Sequence, residues 1–380
     1  MPKIAVVANK VTPYRTPVFE RLARMPEVSL QVIFCCEREP NRLWDLTELN
    51  FNHTVLRQRF TTVKQRYIHN NPDVFVALGR FSPHVVVTTG FNPTHLYAFA
   101  YAWMKRATHV PFTDGTDKSE KTLSGVHKAI RRFVFARSAA FVGASAGSRR
   151  LYESYGIPGD HCFQSCLAID NDAYAPVPQQ EERQFDFLFC GRIEPVKNPL
   201  FALNVARETA VKLGRRVSIQ FVGDGSQRED VARAAMLQPH LVEATFQGFA
   251  HQSELPSLYH SARLFLFPTL WDPWGVVVNE ACAAGLPVIA SPDAGVSGEL
   301  VRDRENGFVC DLDVERWASR ASSLLSDEAS WQSQSERSLA LVREYSYDAA
   351  AKGLLAACQY AVSTGTRGRV VTADNVRTAP

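Results

Sequence analysis

Apolar residues fall along this chain in short β-branched runs, and amphipathic stretches at helical spacing lie between them. In the first half the runs are KIAVVA (3–8), SLQVIFCC (29–36), HVVVTT (84–89), THVPFT (108–113) and AAFVGAS (139–145). In the second half they are FDFLFCG (185–191), VSIQFVG (217–223), ATFQGF (244–249), LFLFP (264–268) and PVIAS (287–291). Continuous apolar strands alternating with helices predict parallel sheets covered on both faces. The expected fold class is α/β, with two doubly wound Rossmann-like domains facing a cleft. Ligands of such sheets bind beyond the carboxyl ends of the strands.

At 380 residues the chain suits two domains. The pattern puts an N-terminal domain at 1–170 and a C-terminal one at 185–345. The stretch 171–184, rich in Pro, Gln and charge, reads as a linker between them. A helix at 346–362 is expected to pack back toward the N-terminal domain. Residues 363–380 read as a loose tail.

The net charge of +3 hides an asymmetry. Residues 1–168 hold 22 Lys+Arg against 12 Asp+Glu, a net of +10, and the remainder 20 against 27, a net of −7. A basic half suits nucleic acid, an anionic membrane surface or a phosphorylated ligand. The segment 118–138 gathers Lys118, Lys121, Lys128, Arg131, Arg132 and Arg137 around Ile130, Phe133 and Val134. Such a helix can lie on anionic lipid, or it can be a core helix with a solvated basic side. It lacks interleaved exposed aromatics, which argues against nucleic acid.

The longest apolar run, residues 95–104, is about half of what spans a bilayer. Eight scattered cysteines without a CxxC pair read as reduced thiols. The expected location is cytoplasmic, or peripheral on the inner face of the membrane. His161, Cys162 and Cys166 lack a second ligand pair at metal-binding spacing, so no metal is expected.

Chemistry gathers after the second-half strands. Arg192 and Lys197 follow the first of them and could hold a diphosphate. Gly223 and Gly225 follow the next and permit a tight turn and close backbone approach to a ligand. The stretch PTLWDPWGVVVNEACAAG contains two carboxylates and no other charge. Its pattern predicts a helix ending at Gly285, with Asp272 just before it and Glu280 about a turn and a half inside. That helix start offers unpaired N–H groups to an anion.

GRIEPVKN, FVGDG, FQGFAHQSELPSLYHSARLFLFPT and the run from Trp271 to Val309 together resemble the C-terminal domain of glycosyltransferase family 4, the retaining enzymes of GT-B fold. The resemblance spans roughly residues 185–325. It implies a nucleotide-sugar donor as co-substrate, no other cofactor, and transfer of a hexosyl unit to a glycan or lipid-linked acceptor in polysaccharide or glycolipid biosynthesis. By matching positions, Arg192 and Lys197 would neutralise the donor diphosphate beside Gly191. Glu280 would bond the ribose as second acid of a Glu-x7-Glu motif whose first acid here is Asp272, with Trp274 where Phe is common. Gly275 and Val276 would meet the donor's sugar or phosphate, Gly248 with Phe249 would border the base, and Gly223 would belong to the same donor site.

In the N-terminal half, Tyr14 and Arg15 become acceptor-side candidates. Asp114 stands near the place of a catalytic-side His in many relatives. The alternatives are a non-catalytic nucleotide-sugar-binding protein and another GT-B enzyme such as a sugar-nucleotide epimerase.

Overall fold

The computed structural model describes residues 1–40, 48–63, 66–176 and 183–365. Residues 177–182 of the expected 171–184 linker and 366–380 of the expected 363–380 tail lie outside these. The chain divides into two compact units, one of Met1–Leu167 with Tyr347–Pro380 and the other of Ala168–Ser346.

In the first unit the strands are β1 (Lys3–Ala8), β2 (Ser29–Phe34), β3 (His53–Val55), β4 (Phe60–Val63), β5 (Arg66–His69), β6 (Val85–Thr88), β7 (Thr108–Thr113), β8 (Phe141–Gly143) and β9 (Cys162–Gln164). Seven of them form one parallel sheet in the order β3-β2-β1-β6-β7-β8-β9. The hairpin β4–β5 stands apart and is antiparallel. In the second unit β10 (Phe185–Cys190), β11 (Val217–Val222), β12 (Val242–Gly248), β13 (Ala262–Phe267), β14 (Val288–Ala290) and β15 (Gly307–Val309) form a parallel sheet in the order β12-β11-β10-β13-β14-β15.

All ten apolar runs became strands, with ends shifted by a few residues. Strands β3, β4, β5, β9 and β15 were not anticipated. They are short, and β3 and β4 lie half-exposed to exposed, so they lack the buried run that marks the others.

Both sheets are buried on both faces, which is why their central strands carry almost no polar residue. Val85, Val86 and Val87 of β6 are fully buried, as are Leu264, Phe265 and Leu266 of β13. In the second unit Phe187, Ile219, Phe221 and Leu264 pack with Leu203, Ala206 and Trp317 into one core. Strand order reverses at the β1/β6 pair in one unit and at β10/β13 in the other. At such a reversal the crossovers diverge to opposite faces and leave a crevice at the carboxyl ends.

The helix Tyr347–Thr364 belongs to the first unit and packs its Ala350, Ala351, Leu354 and Ala357 side inward. Its Gly353 lies so close to β9 that an added Cβ would stand 1.7 Å from the Gln164 carbonyl oxygen. Gly353→Ala must therefore push the helix off the sheet edge. We expect a loss of about 1–3 kcal/mol in urea unfolding, the usual cost of overpacking. Gly79→Ala, where nothing lies within 4 Å of the added carbon, serves as control.

Candidate active site

The second unit's reversal point brings the residues after β10 together with those after β13. Beyond β10 and β11 the chain is drawn inward by backbone hydrogen bonds. Gly191 N–H donates to Val222 O at 2.9 Å, and Gly223 N–H to Gly248 O at 2.7 Å. Gly223 has φ +122°, and a Cβ there would meet Gly191 O at 2.1 Å, so no other residue fits. A Cβ added at Gly225 would stand 2.4 Å from Ile193 O. The close approach that these glycines serve is thus between strand ends. Gly248 ends β12, and Phe249 after it is exposed with its ring edge-on to His251.

Lys197 sits in a short 3-10 turn, Pro195–Lys197, pinned by the loop after β13. Leu270 N–H and the Thr269 hydroxyl both donate to Val196 O, at 2.8 and 3.0 Å. The Lys197 ammonium forms an ion pair with Asp272 and lies 5.3 Å from the centre of the Phe267 ring. The other oxygen of Asp272 accepts from Trp274 N–H at 2.9 Å. One carboxylate thus ties the cation to the turn that opens the helix Val276–Ala283.

That helix begins at Gly275, with φ +105°; a Cβ there would strike the Phe267 ring at 2.6 Å. No side chain caps the start, and its first turn carries no acid. The amides at Val276 and Val277 therefore keep the positive end of the helix dipole uncovered. Arg192 is exposed after Gly191; hydrogen bonds from Ser226 hold the Glu194 carboxyl below its usual range, and the charge of Arg192 adds to this.

Two expected donor-side residues lie deeper than their motif suggests. The Trp274 ring is buried, donates to Asn279 Oδ1 at 2.8 Å and packs on Tyr345 with centres 5.2 Å apart, so it presents no surface to a ligand. Glu280 is also buried and accepts from the Tyr259 hydroxyl at 2.6 Å. Burial pushes its pKa up from 4.5 to about 7, against the opposing hydrogen bonds of Tyr259 and Tyr174. Tyr259 has no place in the sequence pattern; only the register of its helix, Leu255–His260, puts it there.

In the first unit the reversal point holds a cavity of about 190 Å³ lined by residues after β1, β6 and β7, including Lys10, Thr12, Tyr14, Thr89 and Asp114. Arg15, though it lines this wall, is fully engaged. Its Nη1 donates to the carbonyls of Ser165 and Cys166 at 3.0 and 3.1 Å, and its Nη2 pairs with Asp114. Arg15 therefore holds Asp114 in place, and Asp114, with its side chain 47% exposed, faces outward. Lys10 pairs with Glu39, which is also bonded to the buried His69 at 3.1 Å. Lys10 stands two residues past the end of β1, as Arg192 does past β10, and no motif marks it in the sequence.

The basic segment forms helices Asp117–Glu120 and Gly125–Phe135. Its expected apolar face splits. Val134 turns into the core, Ile130 is half-buried and Phe133 stays exposed. Arg131 pairs with Glu120 and covers Phe91, whereas the Arg137 guanidinium lies 3.8 Å from the Phe133 ring centre and 5.6 Å from that of the exposed Trp103. Among the described residues no helix is long and apolar enough to cross a membrane, and no group of three or more His, Cys, Asp or Glu is placed to hold a metal ion.

Residues 170–339 match the family of glycosyl transferases group 1. The chain is 34% identical over 112 residues to a sulfoquinovosyl transferase of Arabidopsis thaliana, covering 29% of this chain and 21% of that protein. It is 30% identical over 223 residues to a D-inositol 3-phosphate glycosyltransferase of Nocardia farcinica, covering 55% and 49%. The chain thus spans less than half the length of these curated relatives. Among solved structures, Anabaena HepE in complex with UDP superposes with a TM-score of 0.73 at 15% identity, over 94% of this chain and 99% of that one. The fold is that of the GT-B glycosyltransferases, as the strand pattern and motifs led us to expect.

Glu280 makes stability depend on pH. Between pH 4.5 and about 7 the folded protein keeps a proton on this carboxyl that the unfolded chain has released. Stability should therefore fall as pH rises through that window and then level off. In the absence of ligand, Glu280→Gln should gain about 3 kcal/mol on the wild type between pH 4.5 and pH 8. Urea unfolding of both proteins across this range checks it, and parallel curves would contradict it.

Proposed function

We propose that this protein is a retaining glycosyltransferase that moves a hexosyl unit from a nucleotide-diphosphate sugar to a glycan or lipid-linked acceptor, in polysaccharide or glycolipid assembly. The observation that carries the reading is the Lys197 ammonium tied through Asp272 to the uncapped helix start at Gly275. A departing diphosphate needs its charge stabilised while positive charge develops at the anomeric carbon. Fixed cations and aligned amides supply this without reorganising. With Arg192 and Lys197 in that role, the donor requires no metal ion. Retention follows if the acceptor hydroxyl attacks from the leaving group's face and a phosphate oxygen takes its proton.

The test is a panel of UDP-, GDP- and dTDP-sugars, read by thermal stabilisation, hydrolysis and transfer. One sugar nucleotide should stabilise the wild type and support turnover that chelator does not reduce. Arg192→Ala and Lys197→Ala should each lower turnover by about 10²–10³-fold. If no sugar nucleotide is bound, the proposal fails; if one is bound and never turned over, the protein is a donor-binding protein without transferase activity.

A second reading concerns location. We propose that the first unit docks on an anionic membrane surface through exposed Trp103, Met104 and Phe133 beside Arg137. Residues 121–152 contain no Asp or Glu, so this surface has little to repel acidic lipid. Each cation near such a surface contributes about 1 kcal/mol. The protein should co-sediment with vesicles containing phosphatidylglycerol and not with phosphatidylcholine alone. Trp103→Ser with Phe133→Ser should abolish this while leaving donor binding intact. Equal sedimentation of wild type and double variant would overturn it.

A further inference from the structure

Resting on the membrane reading above, we infer that a second cavity of the first unit is a headgroup site, which seats the phosphodiester of one anionic phospholipid between Arg106 and Arg137. The cavity, of about 280 Å³, lies at the amino ends of β7 and β8, where residues 106–108 approach residues 137–139. Asp114 and the other acceptor-side candidates stand past the carboxyl ends of the same sheet. The six residues of β7 put about 17 Å between the two ends. A lipid held here is therefore an anchor and not the glycosyl acceptor.

The charge of this cavity has no counterpart. Its lining contains no carboxylate, and neither residues 91–113 nor residues 121–152 include an Asp or Glu. Arg137 donates from Nη1 to Phe133 O at 3.0 Å and lies over the Phe133 ring, so its guanidinium is oriented without being neutralised. Arg106 makes no side-chain hydrogen bond or ion pair among the described residues. Three helices end beside the cavity, at Lys105, Phe135 and Thr364, and each last turn brings about half a negative charge. Two arginines and the exposed Lys105 outweigh these, and the mouth stays cationic.

The other polar side chains of the lining are already engaged. Thr108 Oγ1 donates to His84 O at 3.2 Å, and the Ser138 hydroxyl donates to Val134 O at 2.9 Å. His109 bonds Ser138 and Thr88 at 2.8 and 3.0 Å, and burial pushes its pKa down to about 3, so it adds no cation. The two guanidiniums are thus the groups left to meet a ligand, and their planar N–H forks suit phosphate oxygens.

The rim decides between a lipid and a free phosphate. Trp103 forms part of the cavity wall, and Trp103, Met104 and Phe133 are all exposed. Free phosphate covers none of them. A lipid whose phosphodiester rests on the arginines brings its acyl chains to these side chains, and Trp favours such an interface.

The test titrates the full chain by calorimetry with dihexanoyl-phosphatidylglycerol below its micellar concentration, with dihexanoyl-phosphatidylcholine and with inorganic phosphate. The phosphatidylglycerol should bind saturably, one per chain, and about tenfold or more tightly than either alternative. Arg106→Gly and Arg137→Gln should each weaken it by about tenfold or more, as loss of one charged hydrogen bond does. Arg106 has φ +57°, a conformation that glycine adopts freely, so the first variant removes the guanidinium without straining the turn. Arg80→Gln, exposed on the same unit and outside the cavity, should leave the affinity unchanged, which a diffuse charge effect would not. Equal binding of both lipids, tighter binding of free phosphate, no saturable binding, or an unchanged affinity in either variant once folded would each overturn the inference. Sedimentation with phosphatidylglycerol vesicles that persists without soluble-lipid binding would refute this site and leave the membrane reading standing. Saturable binding of soluble lipid without vesicle sedimentation would overturn the membrane reading alone.

Discussion

A parallel sheet ends all its strands on one side, and that constraint organises everything functional in this chain. Where strand order reverses, adjacent crossovers leave in opposite directions and no backbone fills the gap between them. The chain does this twice, after β1 and β6 and after β10 and β13. In the second unit the gap is closed electrostatically by the Lys197–Asp272 pair, which joins the turn after β10 to the turn after β13. A charged pair with little exposure is weak evidence for stability, because desolvation offsets much of its Coulomb energy. On the proposed reading it is a cation kept in place for an anion, with Asp272 holding it until the ligand's own charge arrives.

The two gaps differ in charge balance. In the second unit, Arg192 and an uncapped helix start leave a positive excess beside the ion pair. In the first, each cation has its own carboxylate, and a hydroxyl without a partner lies among them. The same topology carries both arrangements, and only a handful of strand-end residues differ.

Much of this was legible in the sequence because burial on both faces leaves an unmistakable apolar run, and the strand ends follow from where it stops. Gly275 and Asp272 could be placed at a helix start from local pattern alone. What local pattern does not carry is pairing across long separations. That Arg15 is consumed by Ser165, Cys166 and Asp114, that Glu39 joins Lys10 to His69, and that Tyr259 reaches Glu280 depend on the register of distant elements. Trp274 misled for a related reason: a motif gives a residue's neighbourhood in the chain, and its ring here turns toward Asn279 and Tyr345. Strand β4 of the antiparallel hairpin is largely exposed and leaves no apolar run to mark it in the sequence.

The central claim is that the strand-end cations of the second unit hold a diphosphate. The most direct measurement is calorimetric titration with UDP and GDP alongside uridine and guanosine, for the wild type and for the double variant Arg192→Ala, Lys197→Ala. The account predicts that one diphosphate binds far more tightly than its nucleoside and that the double variant loses this difference while still folding. A folded double variant that still prefers the diphosphate by the same factor would contradict it.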